Sequence, residues 1–140
     1  MADKKKNFSQ KTAAPQKAEK KYIDLFYMTP RKVTAKEIAE RLQERDNLAV
    51  ELWAEMNVLE LVLPNQNSID FEPVEADFRD ASDAAFIKNR NIATIFAINL
   101  CEADLTAAVP LFEQLVAACS GFVCADSEDF NPVYAGSSKK

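Results

Sequence analysis

The order of the predicted elements indicates an α+β fold, a two-layer sandwich with a ferredoxin-like arrangement. Apolar stretches rich in β-branched and aromatic residues alternate with helical segments in the order β-α-β-β-α-β-α-β, and the helices are many relative to the strands. The connections are short, and only two glycines occur in 140 residues. A three-layer α/β sheet is the alternative, because few glycines and short connections fit both layouts.

The first two elements have the strongest signals. Residues 22–28 are apolar on both faces and predict a strand in the middle of a sheet, which Pro30 ends. Residues 34–47 predict a helix, because Thr34 and Glu37 form a capping-box signature. The apolar stripe of this helix has the i, i+3, i+4, i+7 spacing and consists of Ala35, Ile38, Ala39 and Leu42.

Residues 48–64 alternate with period two, but their apolar positions change face near Met56. Either one long bulged strand lies here, or two strands meet at that point. Residues 64–68 have the composition of a turn, so residues 58–63 and 68–74 predict a hairpin.

The second half of the chain predicts a short helix, a central strand, a longer helix and a last strand, at residues 80–91, 92–100, 104–120 and 122–126. Pro110 is unfavourable inside a helix, so the regular part of the longer helix is predicted to begin there. Gly121 suits the end of that helix, and residues 127–140 are interpreted as an irregular tail.

Charge divides the chain into regions. Residues 1–21 carry seven lysines against Asp3 and Glu19 and lack apolar periodicity, which indicates a disordered lysine-rich tail. Residues 22–136 are expected to form a single α+β domain, followed by a flexible C-terminus at residues 137–140. Residues 22–138 contain 20 acidic and 8 basic side chains. A body this acidic repels nucleic acid and anionic membranes and attracts proteins with a basic surface.

Two absences limit the chemistry. The chain has no histidine, which excludes Ser-His and Cys-His nucleophile pairs and histidine-bound metals. Its two glycines lie far apart, which excludes a glycine-rich phosphate loop. We therefore expect a protein that is not an enzyme and that uses no cofactor.

Three cysteines, at positions 101, 119 and 124, form no C-x-x-C pair, and the N-terminus has no apolar segment typical of a secretory signal. Reduced thiols inside the core are the expectation, with Cys119 on a helical apolar face and Cys124 in a strand. No apolar run approaches the roughly 20 residues that cross a bilayer. A soluble, cytoplasmic protein without a membrane partner is therefore predicted.

The pattern Asp-Phe-x-Pro-Val occurs twice, beginning at Asp70 and at Asp129. Proline lacks an N–H group, so each copy is expected at an edge strand or a strand end, with its phenylalanine in the core and its aspartate in water. The other interpretation is a duplicated fold unit, in which both copies would follow equivalent elements.

Acidic side chains around the two copies form the candidate partner surface, together with Trp53. The set is Asp70, Glu72, Glu75, Asp77, Asp80, Glu128, Asp129 and Trp53, with Asp126 close by. Core packing is the usual interpretation of a tryptophan on a strand, but an exposed Trp53 would be an anchor for a partner. Carboxylate clusters also bind Ca²⁺ or Mg²⁺, yet neither copy has the glycine-containing calcium loop, so no metal site is predicted.

These observations favour a non-catalytic acidic protein-binding domain, for example an inhibitor or immunity-type protein that blocks a basic enzyme surface. The alternative is a homo-oligomeric structural or regulatory domain that associates through a strand edge or a sheet face. A small carboxylate-dependent hydrolase or ligand-binding domain is the third hypothesis, and the missing histidine and glycines disfavour it.

Overall fold

The computed structural model describes residues 21–42, 48–75, 78, 80–127 and 129–136. The predicted C-terminus 137–140 and all of the predicted N-terminal tail except Lys21 lie outside these residues. The described elements are β1 (Tyr22–Thr29), α1 (Ala35–Leu42), β2 (Ala49–Trp53), β3 (Val58–Val62), β4 (Ser68–Val74), α2 (Ala81–Asn89), β5 (Thr94–Cys101), α3 (Leu105–Cys119), β6 (Phe122–Ala125) and β7 (Val133–Gly136).

The described strands form one antiparallel sheet in the order β2-β3-β4-β5-β1-β6-β7. Helices α1 and α3 cover one face, whereas α2 packs on the other face over β1, β5 and β6. The α+β class is confirmed. The two-layer, ferredoxin-like layout does not match, because the sheet has seven strands and α2 lies opposite the other two helices. Strands β1 and β5 are apolar on both faces and therefore need cover on both sides.

Strand β1 has the predicted central position. Its Tyr27 side chain belongs to the core under α1 and α3, and its Met28 side chain belongs to the core under α2. The Tyr27 hydroxyl donates to the Ser120 carbonyl (2.6 Å), and the Thr29 hydroxyl donates to the Cys119 carbonyl (3.0 Å). The last carbonyls of a helix have no partner within the helix, so these hydroxyls of β1 cap α3.

The phase change at residues 48–64 arises from two strands, as one of the two interpretations had it. A 3-10 turn at Ala54–Met56 and a left-handed Asn57 (φ 58°) reverse the chain between β2 and β3. Leu52 then pairs with Leu59, and both contact the same core. The Asn57 side chain also accepts the backbone N–H of Ala35 (2.6 Å), which ties this turn to the start of α1.

Two predictions in the second half are wrong. Helix α3 begins at Leu105, so Pro110 lies inside it. The helix continues past Pro110 because the proline ring is on the solvent side while Leu111 and Phe112 are buried against the sheet. The segment interpreted as an irregular tail contains the edge strand β7, which pairs with β6. Gly136, at the end of β7, lies so close to the Gly121 carbonyl that a Cβ atom there would be only 2.5 Å away.

The two Asp-Phe-x-Pro-Val copies have different surroundings. Phe71 is fully buried under α1 and α3, whereas Phe130 is buried against α2 with a left-handed backbone (φ 58°). Pro73 lies at the end of β4, and Pro132 directly precedes β7. The predicted strand ends and buried phenylalanines are confirmed. The different backbone conformations and neighbours give no support to a duplicated unit.

The three cysteines are free and buried, as predicted. Burial raises the pKa of the Cys124 thiol to about 12 and also raises the pKa of Cys119. Neither group therefore has the character of a reactive thiolate. None of the described helices is both long and apolar enough to span a bilayer.

Replacing Tyr27 with Phe is expected to lower the free energy of unfolding by about 1–2 kcal/mol, because the Ser120 carbonyl at the end of α3 loses its hydroxyl donor. Urea denaturation of purified protein measures the loss. The matched control is Tyr22→Phe, since Tyr22 is 57% exposed. Equal stabilities of the two variants would show that the cap contributes nothing.

Candidate functional site

The sheet face opposite α1 and α3 has an uncovered part on β2, β3 and β4, which we call the open face. The side chains of these strands that point to it are Ala49, Glu51, Trp53, Val58, Glu60, Val62, Ser68, Asp70 and Glu72. None of them is buried, and none belongs to the apolar cluster under α2.

Acidic residues on neighbouring strands are in register across this face. Glu51 pairs with Glu60, and Glu60 pairs with Asp70. Asp70 pairs with Asn99, which in turn pairs with Asp24. The Asp126 N–H donates to the Asp24 carbonyl (3.2 Å), which extends the line to the residue that directly follows β6. We call this set the acidic row: Glu51, Glu60, Asp70, Asn99, Asp24 and Asp126.

The acidic row has no basic neighbour within the sheet. None of the seven described strands contains a lysine or an arginine, and no ion pair to a row carboxylate occurs among the described residues. Like charges directly opposite each other destabilise a sheet, whereas a favourable cross-strand pair stabilises it by about 0.2–1 kcal/mol. Asn99 interrupts the row at its middle, and its amide donates to the Asp24 carboxylate (2.9 Å). The neutral amide therefore separates the charges of Asp70 and Asp24.

A second acidic patch lies at the start of α2, where a groove of about 860 Å³ separates that helix from the loop before β7. We call it the loop groove; it is lined by Asp80, Ser82, Asp83, Phe86, Ser127, Asp129 and Phe130. Hydrogen bonds from Asn131 and from the Ser127 hydroxyl hold the pKa of Asp129 below its usual value.

Asp126 connects the two patches. Partial burial raises the pKa of its carboxyl group, and the neighbouring charges of Asp24 and Asp83 raise it further. Asp24 belongs to the acidic row, whereas Asp83 belongs to the loop groove. Asp126 therefore interacts electrostatically with one carboxylate of each patch.

The predicted site residues separate into two sets. Asp70 and Glu72 lie on the open face, beside a depression of about 320 Å³ that they share with Asp24 and Asn99. Asp80 and Asp129 line the loop groove. Glu75 is exposed just after β4 and belongs to neither set, and Asp77 and Glu128 lie outside the described residues.

Sequence reasoning missed Asp24, Glu51, Glu60 and Asp83. Period-two alternation identifies the face of a strand to which each of the first three belongs. It does not identify the partner strand, and for that reason the row was not predicted.

Trp53 is 43% exposed, so the usual interpretation of core packing is wrong. It pairs with Val58 across the hairpin, and Met56 in the adjoining turn is 63% exposed. An exposed apolar corner therefore adjoins the Glu51 end of the acidic row.

Among the residues that the structure describes, no three Asp, Glu or Cys side chains are grouped closely enough to hold a metal ion. Comparison of the chain with protein-family models, with curated proteins and with solved structures finds no match.

Replacing Asn99 with Asp is expected to lower the free energy of unfolding by about 1 kcal/mol, because it places a charge between two carboxylates. Asn99→Ser is the control, since it removes the amide donor without adding charge. Urea denaturation at low salt should show the aspartate variant as the less stable, and the difference should shrink in ~1 M NaCl, where the screening length is about 3 Å. A difference unchanged by salt would contradict repulsion as the cause.

Replacing Asp126 with Asn is expected to raise the melting temperature at neutral pH. A raised pKa means that the folded state disfavours the charged form, so the charge of Asp126 costs stability wherever it is ionised. The gain should vanish as the pH falls below about 4, where wild-type Asp126 is also neutral.

Asp129→Asn is the matched comparison for this experiment. The pKa of Asp129 is lowered, so its charge stabilises the fold above the unfolded pKa and this contribution is lost in acid. The two substitutions should therefore shift the melting temperature at neutral pH in opposite directions. Shifts of the same sign would show that the assigned environments are wrong.

Proposed function

We propose that this protein is a non-catalytic acidic binding domain that captures a protein with a basic surface on its open face. An inhibitor or immunity-type protein that blocks a basic enzyme surface is the concrete form we favour. The observation that carries the proposal is the acidic row, in which carboxylates on adjacent strands face solvent without a counter-charge in the described sheet.

The shape of the open face supports a macromolecular partner. Small-molecule sites are concave and mostly apolar, whereas the depression on the open face is lined mostly by carboxylate and amide side chains and the row continues beyond it. Neighbouring strands lie about 4.8 Å apart, so the row from Glu51 to Asp126 extends over roughly 24 Å. That length suits a standard protein interface, which buries about 800 Å² per partner.

The exposed apolar corner supplies the second element of such an interface. Charges in a row mainly speed association and select the partner, and they add less to affinity. Trp53 and Met56, at one end of the row, offer the apolar surface that contributes most to interface energy. A partner with lysines or arginines beside an apolar pocket would satisfy both features.

Self-association is the second candidate function, and one observation favours it. Among the described residues β2 pairs only with β3, so its outer edge presents unpaired backbone groups that a strand from a second copy could join. Self-pairing along this edge would bring Glu51 of each copy near the other, which opposes it. Sedimentation equilibrium distinguishes the two functions, since a homo-oligomer would form without any other protein.

The double variant Glu60→Gln, Asp70→Asn tests the proposal, because these two residues are directly opposed in the row. Tagged wild-type protein is used at low salt to capture partners from its own cells. We expect the association rate constant of the variant with a captured partner to be lower than that of the wild type by roughly threefold or more. Its dependence on salt concentration should also be weaker. Stopped-flow or surface-binding kinetics measure both quantities.

Glu40→Gln, Glu113→Gln is the matched control. It changes the net charge equally, on exposed positions of α1 and α3 at the other face. Association should be close to the wild-type rate in this control. If the double variant Glu60→Gln, Asp70→Asn captures every protein that the wild type captures, the open face is not a protein-binding site.

A further inference from the structure

We infer that the open face has a ligand within the same chain: the lysine-rich segment 1–20 docks across the acidic row and competes there with the basic partner. The competition rests on the proposed function, whereas the docking does not. The occupant is identified by its charge, by its point of attachment and by its length.

Charge complementarity is the first argument. Segment 1–20 carries six lysines, Lys4, Lys5, Lys6, Lys11, Lys17 and Lys20. The described basic side chains of the body lie outside the strands, so none of them is in register with the row. The lysine-rich segment is the largest concentration of positive charge in the chain, and the row is a line of carboxylates without a counter-charge in the sheet. At physiological ionic strength, the attraction between the lysines and the carboxylates still acts where these charges lie close together.

The point of attachment is the second argument. The segment joins the fold at Lys21, and Tyr22 is the first residue of β1. Tyr22 is 57% exposed and lies two positions before Asp24, so both side chains point to the sheet side on which the row lies. The lysine-rich segment therefore enters next to one end of the row, and its last lysines are brought close to Asp24 by covalent connection alone.

Length is the third argument. From Asp24 to Glu51 the row crosses four inter-strand spacings, or roughly 19 Å. An extended chain covers about 3.3 Å per residue, so about six residues suffice to cross it. Lys11 precedes Lys21 by ten residues, so the segment reaches Glu51 without being fully extended.

The apolar corner fits the same occupant. Phe8 is the only aromatic residue in segment 1–20, and Trp53 and Met56 are the exposed large apolar side chains at the far end of the row. The 14 residues from Phe8 to Tyr22 span up to about 46 Å, which exceeds the distance across the row. Phe8 can thus reach the apolar corner formed by Trp53 and Met56.

Docking in cis would act as a built-in competitor. A tethered segment has a high effective concentration at its site, so a partner must displace it and only a more strongly basic or better-fitting surface succeeds. Weak cationic proteins would be excluded in this way. The segment would also shield the row carboxylates from one another.

Zero-length carbodiimide cross-linking of the full chain tests the docking, with mass spectrometry of the monomer fraction. We expect links from lysines of segment 1–20 to Glu51 and Glu60, and loss of these links in ~1 M NaCl, where the screening length is about 3 Å. Glu102 is the internal control, because it lies beside Tyr22 near the attachment point but outside the row. An undocked segment would link to Glu102 more than to the distant Glu51, and that result would overturn the inference.

The fluorescence of Trp53, the only tryptophan of the chain, gives a second readout that needs no partner. Acrylamide quenching in the full chain at low salt should increase in a variant with all six lysines of segment 1–20 replaced by Gln. It should increase likewise in Glu60→Gln, Asp70→Asn but not in Glu40→Gln, Glu113→Gln. Equal quenching in all four proteins would overturn the docking.

Two further outcomes separate docking from its consequences. Links found only in a cross-linked dimer, with a yield that rises with protein concentration, would show a second copy as the occupant and overturn docking in cis. If the links form in the monomer but the six-lysine variant captures a basic partner no more strongly than wild type, the competition is overturned. The proposed function fails only by its own test, in which capture is insensitive to Glu60→Gln, Asp70→Asn.

Discussion

The double-sided burial of β1 is the constraint on which the rest of the structure depends. Its side chains alternate between the core under α1 and α3 and the core under α2, so this one strand joins both. Its Tyr27 and Thr29 hydroxyls hold the carbonyls at the end of α3. Gly121 then passes so close to β1 that a Cβ atom would collide with the Met28 carbonyl, in a backbone conformation (φ 89°) that favours glycine. The conformations of β1, of the end of α3 and of the turn at Gly121 therefore depend on one another.

The acidic row begins where the α2-side core ends. Phe26 is buried beneath a group of aromatic rings, and two positions earlier on the same face Asp24 reaches solvent. Within that group the Phe130 ring lies 4.5 Å from Phe86 and 6.1 Å from Phe26, measured between centroids. These contacts stabilise the left-handed backbone of Phe130, which is uncommon for a bulky residue. One face of the sheet is thus divided into an apolar part that α2 covers and an acidic part that no described helix covers.

One buried carboxylate of the fold accepts hydrogen bonds from other side chains, whereas the carboxylates of the open face are accessible to water. Asp104 is buried, yet its carboxylate accepts hydrogen bonds from the Asn65 and Asn67 side chains (2.9 and 2.8 Å), which ties the β3–β4 turn to the start of α3. The carboxylates of Glu51, Glu60 and Asp70 have no such donors among the described residues.

The sequence by itself determined the α+β class, the central position of residues 22–28, the β3–β4 hairpin and the burial of Phe71 and Phe130, because each depends on local periodicity or on proline and glycine. It also determined that the body is acidic. Only the tertiary structure decided that β7 exists, that Pro110 lies inside α3 and that α2 covers the opposite face, since these depend on packing against distant elements. The acidic row was likewise decided by the fold. Glu51, Glu60, Asp70 and Asp24 are distant in the chain, and backbone hydrogen bonds between strands, which form only in the folded sheet, bring them into register.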